Sequence, residues 1–240
     1  MQPHWSRRKV MGASGAGLAA GAAAGAAPAA APAADDARPA PVRIVGVACS
    51  PRKGKTSAAA LRVCLEAARA AAPNIEVELI ELAGLSLPGG PAAGVPLGPE
   101  ERDDFPRVMA ALTDQRTAGI IVATPVYYSG LTFLCKAFLD RLGACRRDNF
   151  ALADKVGGVL AVGVVRNGGQ ELAIQAVQNA LLCQEMIIVG DGRPTAHTGA
   201  TLLNPGTDDI AGDEFGLATA RNLGRRVAQV ALRLARTTKG

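Results

Sequence analysis

Residues 42–72 read VRIVGVACSPRKGKTSAAALRVCLEAARAAA, and this stretch decides the fold class. Val42 to Ala48 is a short run rich in β-branched residues, which predicts a strand. The segment from Cys49 to Lys55 contains proline and glycine and predicts a loop, and the alanine-rich segment from Thr56 to Ala72 predicts a helix. A strand that passes through a short loop into a helix is the first half of a β–α–β unit.

The same alternation continues along the chain. Ile75 to Leu82 alternates apolar residues with glutamate, as in a strand partly exposed on one face, whereas Ala118 to Ala123 is apolar throughout, as in a strand covered on both faces. Five strands that alternate with helices predict one α/β domain with a doubly wound parallel sheet. The other predicted elements are a Gly- and Pro-rich loop at 84–99, helices at 104–115, 131–142, 170–182 and 213–234, and strands within 156–165 and at 186–189.

The first 34 residues differ in kind from the rest. Arg7, Arg8 and Lys9 precede an alanine- and glycine-rich segment that reaches Ala31-Pro32-Ala33, which is similar to a signal-peptide cleavage site. Adjacent arginines before a weakly apolar segment are typical of a twin-arginine signal, so we expect export to a bacterial periplasm or cell envelope. The alternative is a low-complexity N-terminus with no targeting role. Residues 35–41 would link this leader to a domain that spans 42–236.

Charge and composition exclude several classes of protein. The net charge is +5, and the basic residues of the leader supply much of it, so the remaining chain is nearly neutral and no nucleic-acid-binding face is expected. No strongly apolar run of about 18 residues exists, so no stable membrane span is expected. The five cysteines are far apart, which argues against a metal site and favours buried thiols: Cys49, Cys64, Cys135, Cys145 and Cys183.

The loop after the first strand predicts a phosphate site, because open α/β sheets bind ligands at the carboxyl ends of their strands. The loop and the first helical turn offer three hydroxyls and three cations: Ser50, Thr56, Ser57, Arg52, Lys53 and Lys55. The following helix directs the positive end of its dipole to the same place. The alternative is a solvated basic turn in which Thr56 caps the helix. A P-loop is disfavoured because Cys49 replaces its first glycine and Thr124-Pro125 stands in place of its magnesium-binding aspartate.

The loop after the third strand, Thr124-Pro125-Val126-Tyr127-Tyr128-Ser129-Gly130, carries both tyrosines of the chain. Aromatic side chains at the carboxyl end of a strand can flank a flat ligand. On its own, the tyrosine pair is more typical of ordinary packing.

Together these loops resemble the NAD(P)H-dependent FMN reductase family of the flavodoxin-like superfamily. That family has a G-S-P-R-x-x-x-x-T-type first loop and a T-P-V-Y-Y/F loop followed by L-K-x-F-I-D-R. The matching segments here are 50–57, 124–128 and 135–141, and Asn167-Gly168-Gly169-Gln170-Glu171 and Gly212-Asp213-Glu214-Phe215-Gly216 resemble two further family motifs. The resemblance covers about residues 42–236. It implies a flavodoxin-like three-layer sandwich with a five-stranded parallel sheet of order 2-1-3-4-5.

The resemblance also implies an FMN site. The residues that it places around the cofactor are Ser50, Arg52, Lys55, Thr56 and Ser57 at the phosphate, Pro125, Val126, Tyr127, Tyr128 and Ser129 against the ring, and Asn167, Gly168 and Gly169 at the pyrimidine edge of the ring. Negative charge grows at that edge on reduction. Relatives called iron–sulfur flavoproteins carry a cysteine cluster after the second strand. Residues 85–99 contain no cysteine, so neither a cluster nor another metal is expected.

The function implied is an FMN-dependent oxidoreductase that passes electrons from NAD(P)H, or another donor, to a small acceptor such as a flavin or quinone. A flavin carries this chemistry itself, so His197 and the aspartates at 208, 209 and 213 are given no catalytic role. The alternatives are a flavodoxin-like electron carrier, which is usually acidic around the flavin, and a binding module that has lost FMN. Export would separate the protein from cytoplasmic nicotinamides, so the donor stays open. The family implies a homodimer or homotetramer.

Overall fold

The computed structural model describes residues 40–237. Its strands are Val42–Ala48 (β1), Ile75–Glu81 (β2), Thr117–Pro125 (β3), Val156–Gly163 (β4), Ile187–Ile188 (β5) and Ala200–Leu203 (β6). Its α-helices are Thr56–Arg69 (α1), Phe105–Thr113 (α2), Phe133–Arg141 (α3), Gly143–Arg147 (α4), Gln170–Leu182 (α5) and Glu214–Thr237 (α6), and a short 3₁₀ helix spans Gly90–Ala93. The predicted signal peptide and most of the predicted linker lie outside the described residues.

The strands form one parallel sheet in the order β2-β1-β3-β4-β5, which confirms the predicted flavodoxin-like α/β fold. At the end of β1, Ala48 pairs with Glu81 of β2 and with Ala123 of β3. At the end of β3, Pro125 pairs with Val162 of β4. The loops that follow β1, β3 and β4 therefore begin side by side at one edge of the sheet, which we call the carboxyl edge.

Helices cover both faces of the sheet, as the continuous apolar runs of β1, β3 and β4 require. Helices α1 and α6 bury one face in a core that includes Ile44 and Leu61. Helices α2, α3 and α5 bury the other face in a core that includes Ile120 and Phe138. Each fully buried side chain of this size contributes roughly 1.5–3 kcal/mol. No helix between residues 40 and 237 is long and apolar enough to cross a membrane.

The fifth position of the sheet is divided between two strands. β5 pairs with the start of β4 at Val156–Gly157, and β6 pairs with its end at Leu160–Gly163. Residues 190–199 leave the sheet between them, after the Val189 amide has donated to the Gly157 carbonyl of β4 at 2.9 Å. At Gly199 the chain returns so close to β4 that a Cβ atom would lie 2.4 Å from the Val159 carbonyl oxygen. β6 lies in a segment without a readable pattern, because four residues are too few to show an alternation.

Four of the five predicted helices differ from the observed bounds by one to three residues, and only α5 matches at both ends. α1 ends at Arg69 and not at Ala72, because Pro73 disfavours helical backbone at the residue before it. The helix predicted at 131–142 begins at Phe133 and ends at Arg141, and the chain then forms the separate short helix α4.

Candidate functional site

Four loops meet at the carboxyl edge. They are residues 49–55 after β1, 126–132 after β3, 164–169 after β4 and 204–213 after β6, here called the first to fourth loops. Thr132 joins the first and second loops, since its Oγ1 donates to the Cys49 carbonyl at 2.9 Å. Gly169 approaches Ser129 so closely that a Cβ atom on the glycine would lie 2.5 Å from the serine Cα. The loops that carry the predicted phosphate and ring residues are thus in contact.

The first loop is held by contacts within its own backbone and from β2. The Ser50 hydroxyl accepts a hydrogen bond from the Arg52 amide at 3.1 Å and donates to the Arg52 carbonyl at 3.2 Å. Gly54 has a φ of +68°, which favours glycine, and its amide donates to Glu81 Oε2 at 2.6 Å. These contacts fix the path from β1 into α1 without using the hydroxyls of Thr56 and Ser57.

The start of α1 fits an anion. Lys55 is the N-cap residue and its side chain forms no capping hydrogen bond, and no acidic residue lies in the first turn. Thr56 is the first residue of the helix, so it is not the cap that the alternative requires. Thr56 and Ser57 are buried, and the Ser57 Oγ has no hydrogen-bond partner in the part of the chain described. A buried unpaired hydroxyl costs about 1–3 kcal/mol, and the unpaired amides of a first turn carry partial positive charge. A phosphate group would satisfy both, so these residues fit the phosphate of FMN.

The two cations beside this helix start, Arg52 and Lys55, share one carboxylate. Arg52 Nη1 lies 2.8 Å from Asp208 Oδ1, and Lys55 Nζ lies 3.2 Å from Asp208 Oδ2. The hydrogen bonds from Lys55 and Arg52 hold the pKa of Asp208 below its ordinary value. The sequence gives Asp208 no role in the site, because no local pattern relates position 208 to positions 52 and 55.

Pro125 and Val126 attach the second loop to the sheet. Pro125 is the last residue of β3, and the Val126 amide donates to the Val162 carbonyl of β4 at 2.9 Å. The Thr124 hydroxyl accepts a hydrogen bond from the Thr132 amide at 3.3 Å, which closes the loop. The predicted ring-binding segment therefore begins on backbone that the sheet holds in place.

Tyr127 to Gly130 form a tight two-residue turn. The amides and carbonyls of Tyr127 and Gly130 are joined by hydrogen bonds of 2.9 and 3.0 Å, and Tyr128 and Ser129 between them have φ values of +50° and +61°. Left-handed backbone at two consecutive non-glycine residues is strained, and such strain is concentrated at functional sites. The Tyr128 ring is fully exposed and the Tyr127 ring partly so, which leaves both able to contact a ligand.

Gln170, the first residue of α5, anchors the third loop. Its buried side chain accepts a hydrogen bond from the Gly168 amide at 2.8 Å and donates to the Val165 carbonyl at 2.9 Å. The Gly168 amide is therefore paired with the Gln170 side chain in this structure, and its place at the edge of a flavin stays a prediction. Asn167 and Gly169 adopt left-handed backbone, with φ values of +59° and +105°. Of the two glycine amides predicted at the ring edge, that of Gly169 is the simpler candidate, because the Gln170 side chain already accepts from that of Gly168.

Asp213 ties the third loop to the fourth. Its Oδ1 accepts a hydrogen bond from the Gly216 amide at 3.0 Å, so it caps α6, and its Oδ2 accepts from the Leu203 amide at 2.6 Å. Arg166 of the third loop forms an ion pair with the same carboxylate. The role of Asp213 is thus structural.

Cys49 and His197 lack the surroundings of catalytic groups. Burial raises the pKa of the Cys49 thiol, and the hydrogen-bonded Cys135 thiol adds to the effect, so Cys49 is a poor nucleophile. His197 lies in the segment between β5 and β6. Its Nδ1 is 3.5 Å from Oδ2 of the buried Asp191, and its ring packs edge-on against the Phe215 ring. It packs against the start of α6.

A cavity of about 650 Å³ opens at the opposite edge of the sheet. Its lining includes Val42, Arg116 and Lys155, at the amino ends of β1, β3 and β4. The Lys155 Nζ is already used there, because it donates to the Thr117 carbonyl at 2.5 Å. Since parallel sheets bind ligands at the carboxyl ends of their strands, the four loops are the candidate site.

The strand order and the loops at the carboxyl edge define a flavodoxin-like α/β protein. This class binds flavin at the carboxyl ends of β1 and β3, where the strand order reverses. Solved structures agree on the fold. An NADH:FMN oxidoreductase superimposes with a TM-score of 0.55 and 22% sequence identity over 80% of this chain and 89% of that one. RosB with a bound riboflavin-phosphate intermediate superimposes with a TM-score of 0.60 and 17% identity over 82% of this chain and 80% of that one.

The chain belongs to the NADPH-dependent FMN reductase family, whose model matches residues 42–201. It is 39% identical over 194 residues to an iron–sulfur flavoprotein of Methanocaldococcus jannaschii, which covers 79% of this chain and 97% of that protein. It is also 32% identical over 151 residues to an NAD(P)H dehydrogenase (quinone) of Geobacter sulfurreducens, which covers 56% of this chain and 73% of that protein. These matches confirm the resemblance read from the sequence.

The cysteines of this chain do not fit an iron–sulfur cluster, although some relatives are iron–sulfur flavoproteins. Four of the thiols are buried, and among these only Cys49 and Cys135 are hydrogen-bonded neighbours within the described residues. The fifth, Cys183, is exposed, contrary to the expectation of buried thiols, and no cysteine lies in the segment after β2. Within residues 40–237, no three histidine, cysteine or acidic side chains come together as metal ligands.

Proposed function

We propose that this protein is an FMN-dependent oxidoreductase that takes electrons from NAD(P)H, or another reductant, and passes them to a small acceptor such as a flavin or a quinone. The start of α1 carries the proposal: an uncapped first turn and an unpaired buried Ser57 hydroxyl lie beside the cations of Arg52 and Lys55. Membership of an FMN reductase family supports it, as does the similarity to a quinone dehydrogenase.

The phosphate end of the ligand would be held by the first loop and α1. Thr56 and Ser57 would donate their hydroxyl protons to phosphate oxygens, and Arg52 and Lys55 would supply positive charge. Ser50 acts differently, because its hydroxyl is already bonded to the backbone of Arg52. It shapes the loop so that the other donors converge.

The ring end would lie between the second and third loops. When bound, FMN supplies the hydride and electron transfer chemistry. Pro125, Val126 and Ser129 give the ring a rigid wall, Tyr127 and Tyr128 offer aromatic surface, and Asn167 turns the third loop so that the Gly169 amide is left as a donor at the polar edge. A backbone donor there stabilises the negative charge that develops on reduction. No side chain has to act as a nucleophile or a general base.

Steady-state turnover of the full chain tests the proposal. NADH and NADPH oxidation would be followed with FMN and either excess flavin or a soluble quinone as acceptor. We expect FMN-dependent turnover, and a higher KM for FMN in a Thr56→Ala/Ser57→Ala variant but not in Lys136→Gln, which removes an exposed α3 cation. If FMN binds but supports no turnover with any donor, the result would contradict the proposed enzyme activity and favour the alternative function as an electron carrier.

We also propose that the protein forms a homodimer or homotetramer through the rim of this site. Large apolar side chains of the second and third loops, and of the starts of α3 and α5, are exposed: Tyr128, Phe133, Val164, Val165 and Leu172. Exposed apolar surface of this kind marks an interface. A second copy of the chain is the occupant that the family's assembly favours.

Export through the leader is a proposal that rests on the sequence. Residues Arg7 and Arg8 are the feature that a twin-arginine system would recognise. A variant with both changed to lysine should stay in the cytoplasm of a bacterial host while the unchanged protein is exported. Equal distribution of the two proteins would contradict the proposal.

A further inference from the structure

One carboxylate forms ion pairs with both cations beside the start of α1 in the candidate phosphate site. The Asp208 side chain bridges Arg52 and Lys55, at 2.8 Å and 3.2 Å. The hydroxyl half of the site has no such acid, because the first turn of α1 contains none. The positive charge offered to a phosphate is therefore already partly neutralised by the chain itself.

The fourth loop is built to place this carboxylate. The side chain of Asn204, which is buried, accepts hydrogen bonds from the amides of Gly206 at 3.2 Å and Asp208 at 3.0 Å, and its Nδ2 donates to Asp208 Oδ1 at 3.4 Å. Asp208 itself has left-handed backbone, with a φ of +57°. The neighbouring Asp209 accepts a hydrogen bond from the Ala211 amide at 2.9 Å and forms no ion pair with another residue between 40 and 237. The loop thus selects one of two adjacent aspartates to face the cations.

A bound phosphate ester would have to share the cations with Asp208 or displace it. Sharing brings two anions close together, which is unfavourable, and displacement breaks two ion pairs. Either route lowers the affinity for a ligand with a phosphate. A flavin without a phosphate, such as riboflavin, would not meet this penalty.

We propose that Asp208 sets the affinity of the site for the flavin phosphate, weakening it so that FMN exchanges with solution instead of remaining permanently bound. The inference rests on the proposed function, since it concerns the phosphate end of the same ligand. The fourth loop would then help to decide whether FMN acts as an exchanging substrate or as a resident cofactor.

The test compares the full chain with its Asp208→Asn and Asp209→Asn variants. Dissociation constants for FMN and riboflavin would be measured by quenching of flavin fluorescence, and FMN release by stopped-flow dilution. We expect Asp208→Asn to bind FMN about tenfold more tightly and release it more slowly, because it removes one like charge. Riboflavin binding should be unchanged, and Asp209→Asn should match the unchanged protein. Asp208→Ser, which also removes the charge, should likewise bind FMN more tightly than the unchanged protein.

Two outcomes would overturn the inference in distinguishable ways. If the unchanged protein binds FMN and both Asp208 variants bind it equally or more weakly, the carboxylate orients the cations for phosphate, and only this inference fails. If none of the proteins binds FMN, while circular dichroism shows that they are folded, the proposed function fails with it.

Discussion

Ser57 is a buried hydroxyl at the start of a helix, and it has no hydrogen-bond partner among residues 40–237. Such a group destabilises the free protein, because it has lost its hydration without replacement. The penalty is recovered if a ligand supplies the missing acceptor. In the proposed site, Ser57 would lower the stability of the free protein and raise its affinity for an anion.

We predict that Ser57→Ala has opposite effects on stability and on binding. Removing the unpaired hydroxyl should leave the free energy of unfolding unchanged or raise it by about 1 kcal/mol. FMN should bind about tenfold more weakly, since one hydrogen bond to a charged group is lost. Urea unfolding and a fluorescence titration measure the two quantities. Lower stability with unchanged FMN affinity would show that Ser57 is a structural residue.

At this scale the sequence identifies residues that are contiguous with a motif and misses those that fold in from elsewhere. Thr56 and Ser57 are readable because a strand, a loop and a helix start follow one another in the chain. The pairing of Asp208 with Arg52 is not readable, because it depends on where β6 places the fourth loop. The hydrogen bond between the Gly168 amide and Gln170 cannot be predicted from the sequence either, because it depends on the rotamer of the Gln170 side chain.

The second and third loops are packed against each other through a single glycine. A Cβ atom on Gly169 would lie 2.5 Å from the Ser129 Cα, and its φ of +105° is one that other residues rarely adopt. The two walls of the proposed ring site are therefore held at a separation that only glycine permits.

Replacing Gly169 by alanine should force these loops apart. We expect the free energy of unfolding to fall by about 2 kcal/mol or more, because a clash with backbone adds to a strained φ, and we expect FMN binding to weaken. Gly212→Ala is the matched control, since a Cβ atom there meets nothing within 4 Å and its φ is not in the left-handed region. Chemical denaturation with flavin titration checks both. Equal behaviour of the two variants would rule out the close approach.

Arg141 of α3 holds the long loop after β2 in place through hydrogen bonds and an ion pair. Its guanidinium donates to the Pro88 carbonyl at 2.9 Å and pairs with Asp103 at 2.6 Å, and it lies 4.6 Å from the Phe105 ring centroid. The hydrogen bond from Arg141 lowers the pKa of the Asp103 carboxyl. Both partners are largely buried, so the pair holds an otherwise irregular segment against the helical layer.

We predict that Arg141→Met lowers the free energy of unfolding at neutral pH by about 3 kcal/mol, because it leaves Asp103 charged without its partner. The contribution of Asp103 is present above its unfolded pKa of about 4 and is lost as the pH falls through its lower folded value. The difference between the two proteins should therefore shrink in acid. Lys136→Met on the same helix removes an exposed pair and should cost less than about 1 kcal/mol. Urea unfolding at several pH values provides the measurement, and a pH-independent difference would be inconsistent with the pair.

Among the elements, long periodic segments are predictable and short ones are not. The strands β1 to β4 and the helices α1, α5 and α6 carry enough apolar pattern to be placed within a few residues. β6 has four residues and α4 has five, so neither shows a repeat of its own. Pairing with β4 creates β6, and this is a tertiary effect.

Within residues 40–237, the apolar cores and the proposed functional surface lie in different places. Two apolar cores stabilise the sheet from both faces, while the four loops and the exposed apolar rim share the carboxyl edge. A second copy bound at that rim would lie next to the proposed ring site. Assembly and flavin binding are then expected to be linked.

Phe133→Glu should convert the proposed oligomer to monomers, since a charge replaces an exposed apolar side chain at the start of α3. Leu182→Glu alters a side chain that is also exposed but at the far end of α5, and it should leave the assembly intact. Light scattering coupled to gel filtration measures the mass of each. A monomeric unchanged protein, or equal dissociation by both variants, would refute the proposed interface.

Flavin binding by the full chain is the most direct test of the central claim, that the start of α1 holds a flavin phosphate. The protein would be titrated with FMN and, separately, with riboflavin, with fluorescence quenching and the visible spectrum as readouts. One FMN per chain is expected, bound about tenfold or more tightly than riboflavin because only FMN meets the helix start and its cations. Equal affinities for the two flavins, or no binding of either, would contradict a phosphate site at this helix.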